Sequence, residues 1–141
     1  MLLLLLACSA DPTPSTAPEG APTVASAASL ESQLKNGDRV SERVVTGGQP
    51  AESLLQQAPG LGFDTVVNLR TVGEMTFDEA NIVQGLGMNY VHIPVSGGGD
   101  MTPENAAKLK AALDASQGQA LVHCASGARV KGLMALVETS P

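Results

Sequence analysis

The sequence predicts a single three-layer α/β domain, in which helices cover both faces of a mostly parallel sheet of four to five strands. Short apolar runs alternate with helical periodicity along residues 38 to 141, and this alternation is typical of parallel sheets with crossover helices. The chain holds two Phe, one Tyr and no Trp, so the core must be built from Leu, Val, Met and Ala. Without its N-terminal region the chain has roughly 105 residues, enough for one small domain.

Strands and helices are expected in strict alternation. The strands fall near Arg43 to Thr46, Thr65 to Leu69, Tyr90 to Val95 and Ala120 to His123. The helices fall near Ala51 to Ala58, Phe77 to Leu86, Pro103 to Ala115 and Arg129 to Val137. For the third helix, Thr102 is a suitable N-cap, Pro103 suits the first helical position, and Gly118 follows as a stop signal.

The strongest chemical signal lies where the last apolar strand ends in a cysteine, small residues and an arginine. This loop lies between a strand C-terminus and a helix N-terminus, whose first amides have no internal partner and favour negative charge. Gly127 permits the turn that aims further amides inward. The loop therefore predicts an anion-binding site made of Ala125, Ser126, Gly127, Ala128 and Arg129.

Cys124 is the expected nucleophile of this loop. A thiolate there would be stabilised by the amides, and its pKa would fall from about 8.5 toward the roughly 3.5 to 7.5 found in such settings. Arg129 adds a planar fork of donors that suits an oxyanion, and the Ser126 hydroxyl is placed to hydrogen-bond the sulfur. The alternative is that Cys124 is a buried small hydrophobe, as most free cysteines are.

Four motifs occur in order along residues 40 to 137: Val45-Thr46-Gly47-Gly48-Gln49-Pro50, Val66-Val67-Asn68-Leu69-Arg70 followed by Glu74, Gly87 to Val95, and His123 to Arg129. Together they resemble the phosphatase-like domain found fused to or beside beta-lactamase-like hydrolases, a distant branch of the dual-specificity and tyrosine phosphatase superfamily. The resemblance implies a cysteine-phosphatase-like fold. It also implies a hydrolase of phosphate monoesters that works through a phosphocysteine intermediate and needs no cofactor.

The spacing of the loop leaves the chemistry open. Four residues separate Cys124 from Arg129, whereas most cysteine phosphatases have five, although the branch that the chain resembles shares the shorter spacing. A shorter loop has fewer amides, and it is also similar to that of rhodanese sulfurtransferases, in which the cysteine carries a persulfide. A sulfurtransferase is therefore the second hypothesis, and a non-catalytic anion-binding lipoprotein is the third.

A phosphatase of this kind needs an acid that protonates the leaving oxygen. The aspartate that the superfamily uses would fall near Pro94, so the nearest candidate is Asp100, which follows three glycines. Those glycines make the loop mobile enough to close over the site as a lid. The alternative is that Asp100 only solvates the loop ahead of the helix cap, and sulfur transfer would not require it.

Asn68 and Arg70 stand at the C-terminus of a predicted strand, at the sheet edge where ligands gather in open α/β folds. Both are therefore candidate substrate-binding residues. For Arg70 an ion pair with Glu74 is the favoured alternative.

The two histidines are expected to be structural. The side chain of His123 should point away from Cys124 because successive side chains alternate along a strand. His92 is expected to be a satisfied core or edge residue. Two separated histidines without a cluster of cysteines or acids do not predict a metal site.

Residues 1–8 read as part of a bacterial lipoprotein signal, in which Leu5-Leu6-Ala7-Cys8 matches the cleavage box and Cys8 becomes the lipidated residue. A full signal peptide has a basic region and a longer apolar core, so the natural start is expected about ten residues or more upstream. The expected location is the bacterial cell envelope, lipid-anchored and facing the periplasm. The alternative is a mis-started cytosolic enzyme with a ragged terminus.

Residues 9–37 are rich in Ala, Pro, Ser and Thr, and we expect a disordered tether because such a segment buries little apolar surface. Lipid at Cys8 would leave Cys124 as the only free thiol. The domain is expected over residues 38–141. Since the resembled family continues with further helices, we expect a C-terminally incomplete domain with an exposed apolar patch.

The charge of the chain restricts its partners. The net charge of −6 and the pI near 4.7 leave no basic stripe, which weighs against nucleic acid. The expected partner is a small phosphorylated or sulfur-containing substrate, with membrane contact through the lipid anchor only.

Overall fold

The computed structural model describes residues 29–139, which form a five-stranded sheet covered by helices on both faces. The strands are β1 (Asp38–Ser41), β2 (Val44–Gly47), β3 (Phe63–Asn68), β4 (Asn89–His92) and β5 (Gln119–His123). The helices are α1 (Glu52–Gln57), α2 (Glu79–Gly85), α3 (Pro103–Ala115) and α4 (Ala128–Thr139). The strand order is β1-β2-β5-β3-β4, and every neighbouring pair is parallel except β1 with β2. The predicted three-layer, mostly parallel α/β fold is confirmed.

An apolar cluster lies on each face of the sheet. On one face, Leu121 of β5 packs with α1 and α2, and on the other Val122 packs with α3 and α4. Successive side chains of a strand point to opposite faces, so the central strand β5 contributes to both clusters. The first cluster also holds Val45, Leu54, Leu55, Val66 and Val83, and the second also holds Val67, Leu109, Cys124, Val130 and Leu133.

The structure adds the strand β1 to those that were predicted, and most element boundaries shift by a few residues. All four residues of β1 are exposed, so β1 lacks the alternation of apolar and polar residues by which a half-buried strand is recognised in a sequence. β4 ends at His92, although the N–H of Val95 still donates to Leu69 across the sheet at 2.9 Å. α2 begins at Glu79 because the Asp78 side chain caps the helix by accepting the Asn81 N–H at 3.1 Å.

The folded domain begins earlier than predicted. A 3-10 helix spans Leu30–Gln33, and Leu30 and Leu34 are buried in the cluster beneath α1 and α2. The expected tether over residues 9–37 is therefore corrected at its C-terminal end, because these two leucines supply apolar surface that the composition of the whole segment concealed. The rest of the tether, the leader and Cys8 lie outside the described residues.

The expected apolar patch is absent from residues 29–139. Val40 and Val72 are the exposed large hydrophobic residues in that range, because α4 turns its apolar side chains toward α3 and the sheet. The groove between α4 and β1 mixes Val40 and Met134 with charged side chains. None of the helices in that range is long and apolar enough to span a bilayer.

Asp64 fixes the turn that leads into β5, at the edge of the sheet opposite the predicted anion loop. Its carboxylate accepts the N–H groups of Gln117 and Gly118 at 2.8 and 2.7 Å, and the hydroxyl of Ser116 at 2.5 Å. Burial raises the pKa of Asp64, but these hydrogen bonds outweigh it and hold the pKa below its usual value. The charged form of Asp64 is thus a stabilising element of the folded state.

We predict that Asp64→Ala lowers the free energy of unfolding by about 2 kcal/mol, since it removes hydrogen bonds to a charged acceptor. Because the pKa of Asp64 is lower in the folded state, this stabilisation is complete above the unfolded pKa of about 3.9 and is lost as the pH falls below it. Urea unfolding at neutral and acidic pH measures both effects.

The control is Asp114→Ala, which removes an exposed carboxylate that pairs with Lys110 at 2.7 Å on the surface of α3. It should cost about 0.5 kcal/mol or less. Equal effects of the two substitutions would contradict the role assigned to Asp64.

Candidate active site

The carboxyl ends of four parallel strands surround the loop that joins β5 to α4. In the register of the sheet, His123 at the end of β5 lies beside Gly47 of β2 and beside Asn68 of β3. The residues that follow β2 and β3 therefore flank the loop that begins at Cys124. Ligand sites of open α/β sheets occur at this edge.

Backbone hydrogen bonds fix the path of this loop, which we call the anion loop (residues 124–129). The N–H of Cys124 donates to Gly47 at 3.2 Å, and the Ala125 carbonyl accepts the N–H of Gln49 at 3.3 Å. Gly127 has a φ of 91°, which favours glycine, and a Cβ there would also lie 3.4 Å from the Gly47 backbone. The backbone conformation therefore favours glycine at this position, whereas the space around it would admit a Cβ.

The anion loop stabilises a thiolate at Cys124. Burial raises the pKa of the thiol, whose residue has no exposed surface. The backbone N–H groups of Val130, Ser126, Gly127 and Arg129 lower it, and the balance leaves the pKa of Cys124 below its usual value. The N–H of Gly127 lies 3.0 Å from the sulfur. These contacts come from the backbone and not from the Ser126 hydroxyl, which the sequence had suggested.

Arg129 is held at the other end of the anion loop by Glu74. Its Nη1 and Nη2 donate to the two carboxylate oxygens at 2.8 and 2.5 Å, and Nη1 also donates to the Val95 carbonyl at 2.7 Å. The hydrogen bonds from Arg129 hold the pKa of Glu74 well below its usual range. In return they raise the pKa of the guanidinium. Both groups are therefore charged at any physiological pH.

This pairing leaves one edge of the Arg129 guanidinium for a ligand. Of its five N–H donors, the three hydrogen bonds to Glu74 and Val95 occupy three. The remaining donors, on Nε and Nη2, lie on one edge and match two oxygens of a tetrahedral anion. Cys124 is among the groups that raise the pKa of Arg129, by its charge and by hydrogen bonding. The guanidinium and the sulfur are therefore close enough to interact.

The expected ion pair between Arg70 and Glu74 is wrong. Arg70 donates from Nη2 to the backbone carbonyl of Glu74 and from Nη1 to Gln49 Oε1 at 2.6 Å, while the Glu74 carboxylate takes Arg129. The 3-10 turn Val72–Glu74 explains the exchange, because a capping box with Thr71 turns the Glu74 side chain toward α4. Arg70 thus fixes the backbone of the turn that carries Glu74.

Asn68 lies in the core next to the turn that carries Glu74, and its side chain is not exposed to a ligand. It is fully buried, its Nδ2 donates to the Tyr90 hydroxyl at 3.1 Å, and its Oδ1 accepts the Arg70 N–H at 2.8 Å. Both ends of its amide are occupied, so the expected substrate contact is corrected to a positioning role. His92 is similarly satisfied, with Nε2 at 2.6 Å from the Arg70 carbonyl.

A buried polar chain supports the anion loop from the α1 and α2 side. His123 Nε2 lies 2.5 Å from Glu79 Oε1, and Gln49 Nε2 donates to Glu79 Oε2 at 2.9 Å. His123 and Glu79 are almost completely buried. As expected from alternation along β5, His123 points to one face while Cys124 packs in the cluster on the other. Through Gln49 the chain continues to Arg70.

Asp100 lies in the short 3-10 turn Gly98–Asp100 that precedes α3. Its carboxylate accepts the N–H and the hydroxyl of Ser96 at 2.8 and 2.5 Å, and these bonds hold its pKa below the usual value. Asp100 is therefore an ionised carboxylate in this conformation. Ala125 and Ala128, on either side of the loop turn, are both exposed.

Glu79 and the role of Glu74 were missed by sequence reasoning. Glu79 is buried in a chain position that looks like an ordinary first-turn helix acid. Two features of the sequence could have indicated a buried partner such as Glu79: the histidine before Cys124 on a buried strand, and the Gly-Gln-Pro turn. Buried polar groups need partners. In the part of the chain that the structure describes, no three His, Cys, Asp or Glu side chains gather as metal ligands.

The sequence of the chain is similar to that of a known protein family. Residues 38–140 match the family model of the beta-lactamase hydrolase-like protein, phosphatase-like domain. A beta-lactamase hydrolase-like protein of Xylella fastidiosa is 30% identical over 104 residues, which cover 70% of this chain and 24% of the relative. The chain thus spans about a quarter of the length of that relative.

Solved structures share the fold. A candidate phosphatase (DUF442) from Shewanella putrefaciens CN-32 superposes with a TM-score of 0.64 at 24% identity, over 74% of this chain and 68% of that one. A candidate phosphatase from Neisseria meningitidis Z2491 superposes with a TM-score of 0.60 at 18% identity, over 77% and 80%. Family and fold together support a phosphatase-type enzyme. The chain belongs to the family of phosphatase-like domains of beta-lactamase hydrolase-like proteins.

Proposed function

We propose that this chain hydrolyses small phosphate monoesters through a phosphocysteine intermediate. The observation that carries the proposal is the anion loop, in which backbone N–H groups lower the pKa of Cys124 and Arg129 keeps two N–H donors that neither Glu74 nor Val95 uses. A thiolate is the reactive form of cysteine. A tetrahedral dianion fits donors arranged in this way.

The reaction has two steps. Cys124 Sγ attacks phosphorus, an S–P bond forms, and the bond between phosphorus and the leaving oxygen breaks. Water then attacks phosphorus, releases inorganic phosphate and returns the thiolate. In both steps the loop N–H groups and Arg129 stabilise the negative charge on the non-bridging oxygens. Because Cys124 is fully buried, groups that cover the sulfur must move to admit the phosphoryl group.

The leaving oxygen needs a proton, and Asp100 is the proposed donor. In the conformation described above, the bonds from Ser96 keep Asp100 ionised. To act as an acid, Asp100 must leave Ser96 and approach the anion loop, where a bound phosphate dianion would raise its pKa. The flanking Gly97, Gly98 and Gly99 have open space around them, which permits such a movement.

Sulfur transfer at the same cysteine is the second candidate. The ionised state of Asp100 favours it, because attack of a thiolate on a sulfane sulfur requires no protonated carboxyl group. In that reaction the Cys124 thiolate would attack the outer sulfur of a donor such as thiosulfate, whose S–S bond would break to leave a persulfide on Cys124 and release sulfite, and the anion loop would bind the oxyanion. The proposed place of action is the cell envelope, through lipid at Cys8 and the Pro-rich segment that follows it.

The first prediction concerns the nucleophile and the anion fork. Wild type should hydrolyse p-nitrophenyl phosphate, and Cys124→Ser should abolish the reaction because an alcohol is not ionised in this field. Arg129→Lys should lower kcat/KM by about a hundredfold, since it keeps the charge but loses the paired donors. Steady-state assays with purified variants measure these changes.

The matched control is Lys110→Arg on the exposed face of α3, which should leave kcat/KM unchanged. If Cys124→Ser hydrolyses the ester as fast as wild type, the phosphocysteine mechanism is excluded.

The second prediction separates the two chemistries. Asp100→Asn should lower the kcat of phosphatase activity about a hundredfold, which is typical for loss of a general acid. Transfer of sulfur from thiosulfate to cyanide should be unaffected by the same change. Asp114→Asn on α3 is the matched control in both assays.

Equal rates of ester hydrolysis in Asp100→Asn and wild type would remove Asp100 from the mechanism. If wild type transfers sulfur from thiosulfate to cyanide but does not hydrolyse the ester, the sulfurtransferase is the correct assignment.

A further inference from the structure

The segment 30–37 packs against the outer side of the anion loop, although it precedes the residues 38–140 that the family model covers. Leu30 and Leu34 anchor it in the apolar cluster beneath α1 and α2. The Lys35 carbonyl accepts the N–H of Gly48 at 2.8 Å, and Gly48 in turn pairs with Ser126 of the anion loop. Two turns of chain are thus fixed to each other beside the site.

Asn36 makes the direct contact with the anion loop. Its Nδ2 donates to the carbonyl oxygen of Ser126 at 2.7 Å. Its backbone has a φ of 52°, in the left-handed region that asparagine tolerates better than most residues. A Cβ added at Gly127 would lie 3.5 Å from the Asn36 Cβ, so the two turns lie close together.

The peptide unit that Asn36 holds is the one that contacts the sulfur. The Ser126 carbonyl and the Gly127 N–H belong to the same planar peptide, whose C=O and N–H point in opposite directions. Asn36 binds the oxygen at one end, and Cys124 Sγ accepts the N–H at the other end at 3.0 Å. A donor on the oxygen fixes the plane of the peptide and polarises its N–H, because hydrogen bonds in a chain strengthen one another.

We infer that Asn36 is a positioning residue, which holds and polarises the Ser126–Gly127 peptide so that its N–H is directed at Cys124 Sγ. This inference rests on the proposed function only for the effect of Asn36 on turnover, since the contact between the Gly127 N–H and the sulfur exists without substrate. The side chain is exposed and makes a neutral hydrogen bond, so its effect is moderate and not all-or-none.

Two substitutions at position 36 separate the hydrogen bond from the backbone conformation. Asn36→Gly keeps the left-handed conformation and removes the donor. Asn36→Asp keeps the size of the side chain but presents a carboxylate oxygen to the Ser126 carbonyl, which reverses the electrostatics. The matched control is Asn89→Asp, since Asn89 is exposed at the start of β4, at the opposite edge of the sheet.

The full chain carrying each substitution is compared with wild type in two measurements. The pKa of Cys124 is obtained from the ultraviolet absorbance of the thiolate, after subtraction of the Cys124→Ser signal. We expect Asn36→Gly to raise it by about 0.5 to 1 unit, Asn36→Asp to raise it at least as far, and Asn89→Asp to leave it unchanged. In the second measurement, kcat/KM for p-nitrophenyl phosphate should fall about threefold to tenfold in Asn36→Gly.

The inference is overturned if both Asn36 variants are folded by circular dichroism and keep the wild-type thiol pKa. A variant that unfolds is excluded from the comparison, and the other one decides. If wild type does not hydrolyse the ester but the pKa of Cys124 still rises in Asn36→Gly, the proposed function fails while the positioning role stands.

Discussion

Negative charge on one buried sulfur is the constraint on which this structure depends. Burial alone disfavours a thiolate at Cys124, and the backbone N–H groups of the anion loop and of Val130 in α4 reverse that effect. Those groups point inward because Gly127 takes a left-handed conformation and because α4 begins at the end of the loop. If the loop turned its carbonyls inward instead, Cys124 would be one more apolar residue in the cluster between the sheet and α4.

The anion loop keeps its N–H groups directed at the buried sulfur because other elements hold the loop from several sides. Glu74 fixes the guanidinium of Arg129, and the buried pair of Glu79 and His123 supports the loop from the opposite face. Asn36 closes the outer side. None of these supports involves the sulfur itself, so the site is preorganised for an anion before one binds.

The sequence was sufficient for features that depend on short segments, and insufficient for pairings between distant ones. The alternation of apolar runs with helical periodicity and the capping signals of α3 predicted the fold, and the strand, loop and helix around Cys124 were also predicted, because these are local patterns. The partner of Glu74 was assigned to Arg70 by sequence proximity, whereas a turn of the backbone brings it to Arg129, 55 positions along the chain. β1 and Asn36 were missed for the same reason, since an exposed edge strand and a surface asparagine acquire meaning only from what they contact.

The ionisation of Cys124 is the most direct test of whether the loop N–H groups stabilise a thiolate. Its β-carbon chemical shift, followed by NMR as the pH is raised in protein labelled at cysteine, reports the change from thiol to thiolate, and the Cys124→Ser variant identifies the signal. We expect a midpoint below the roughly 8.5 of an unperturbed cysteine. A midpoint at or above that value would contradict it, because burial would then outweigh the loop amides and neither phosphoryl nor sulfur transfer could begin at this residue.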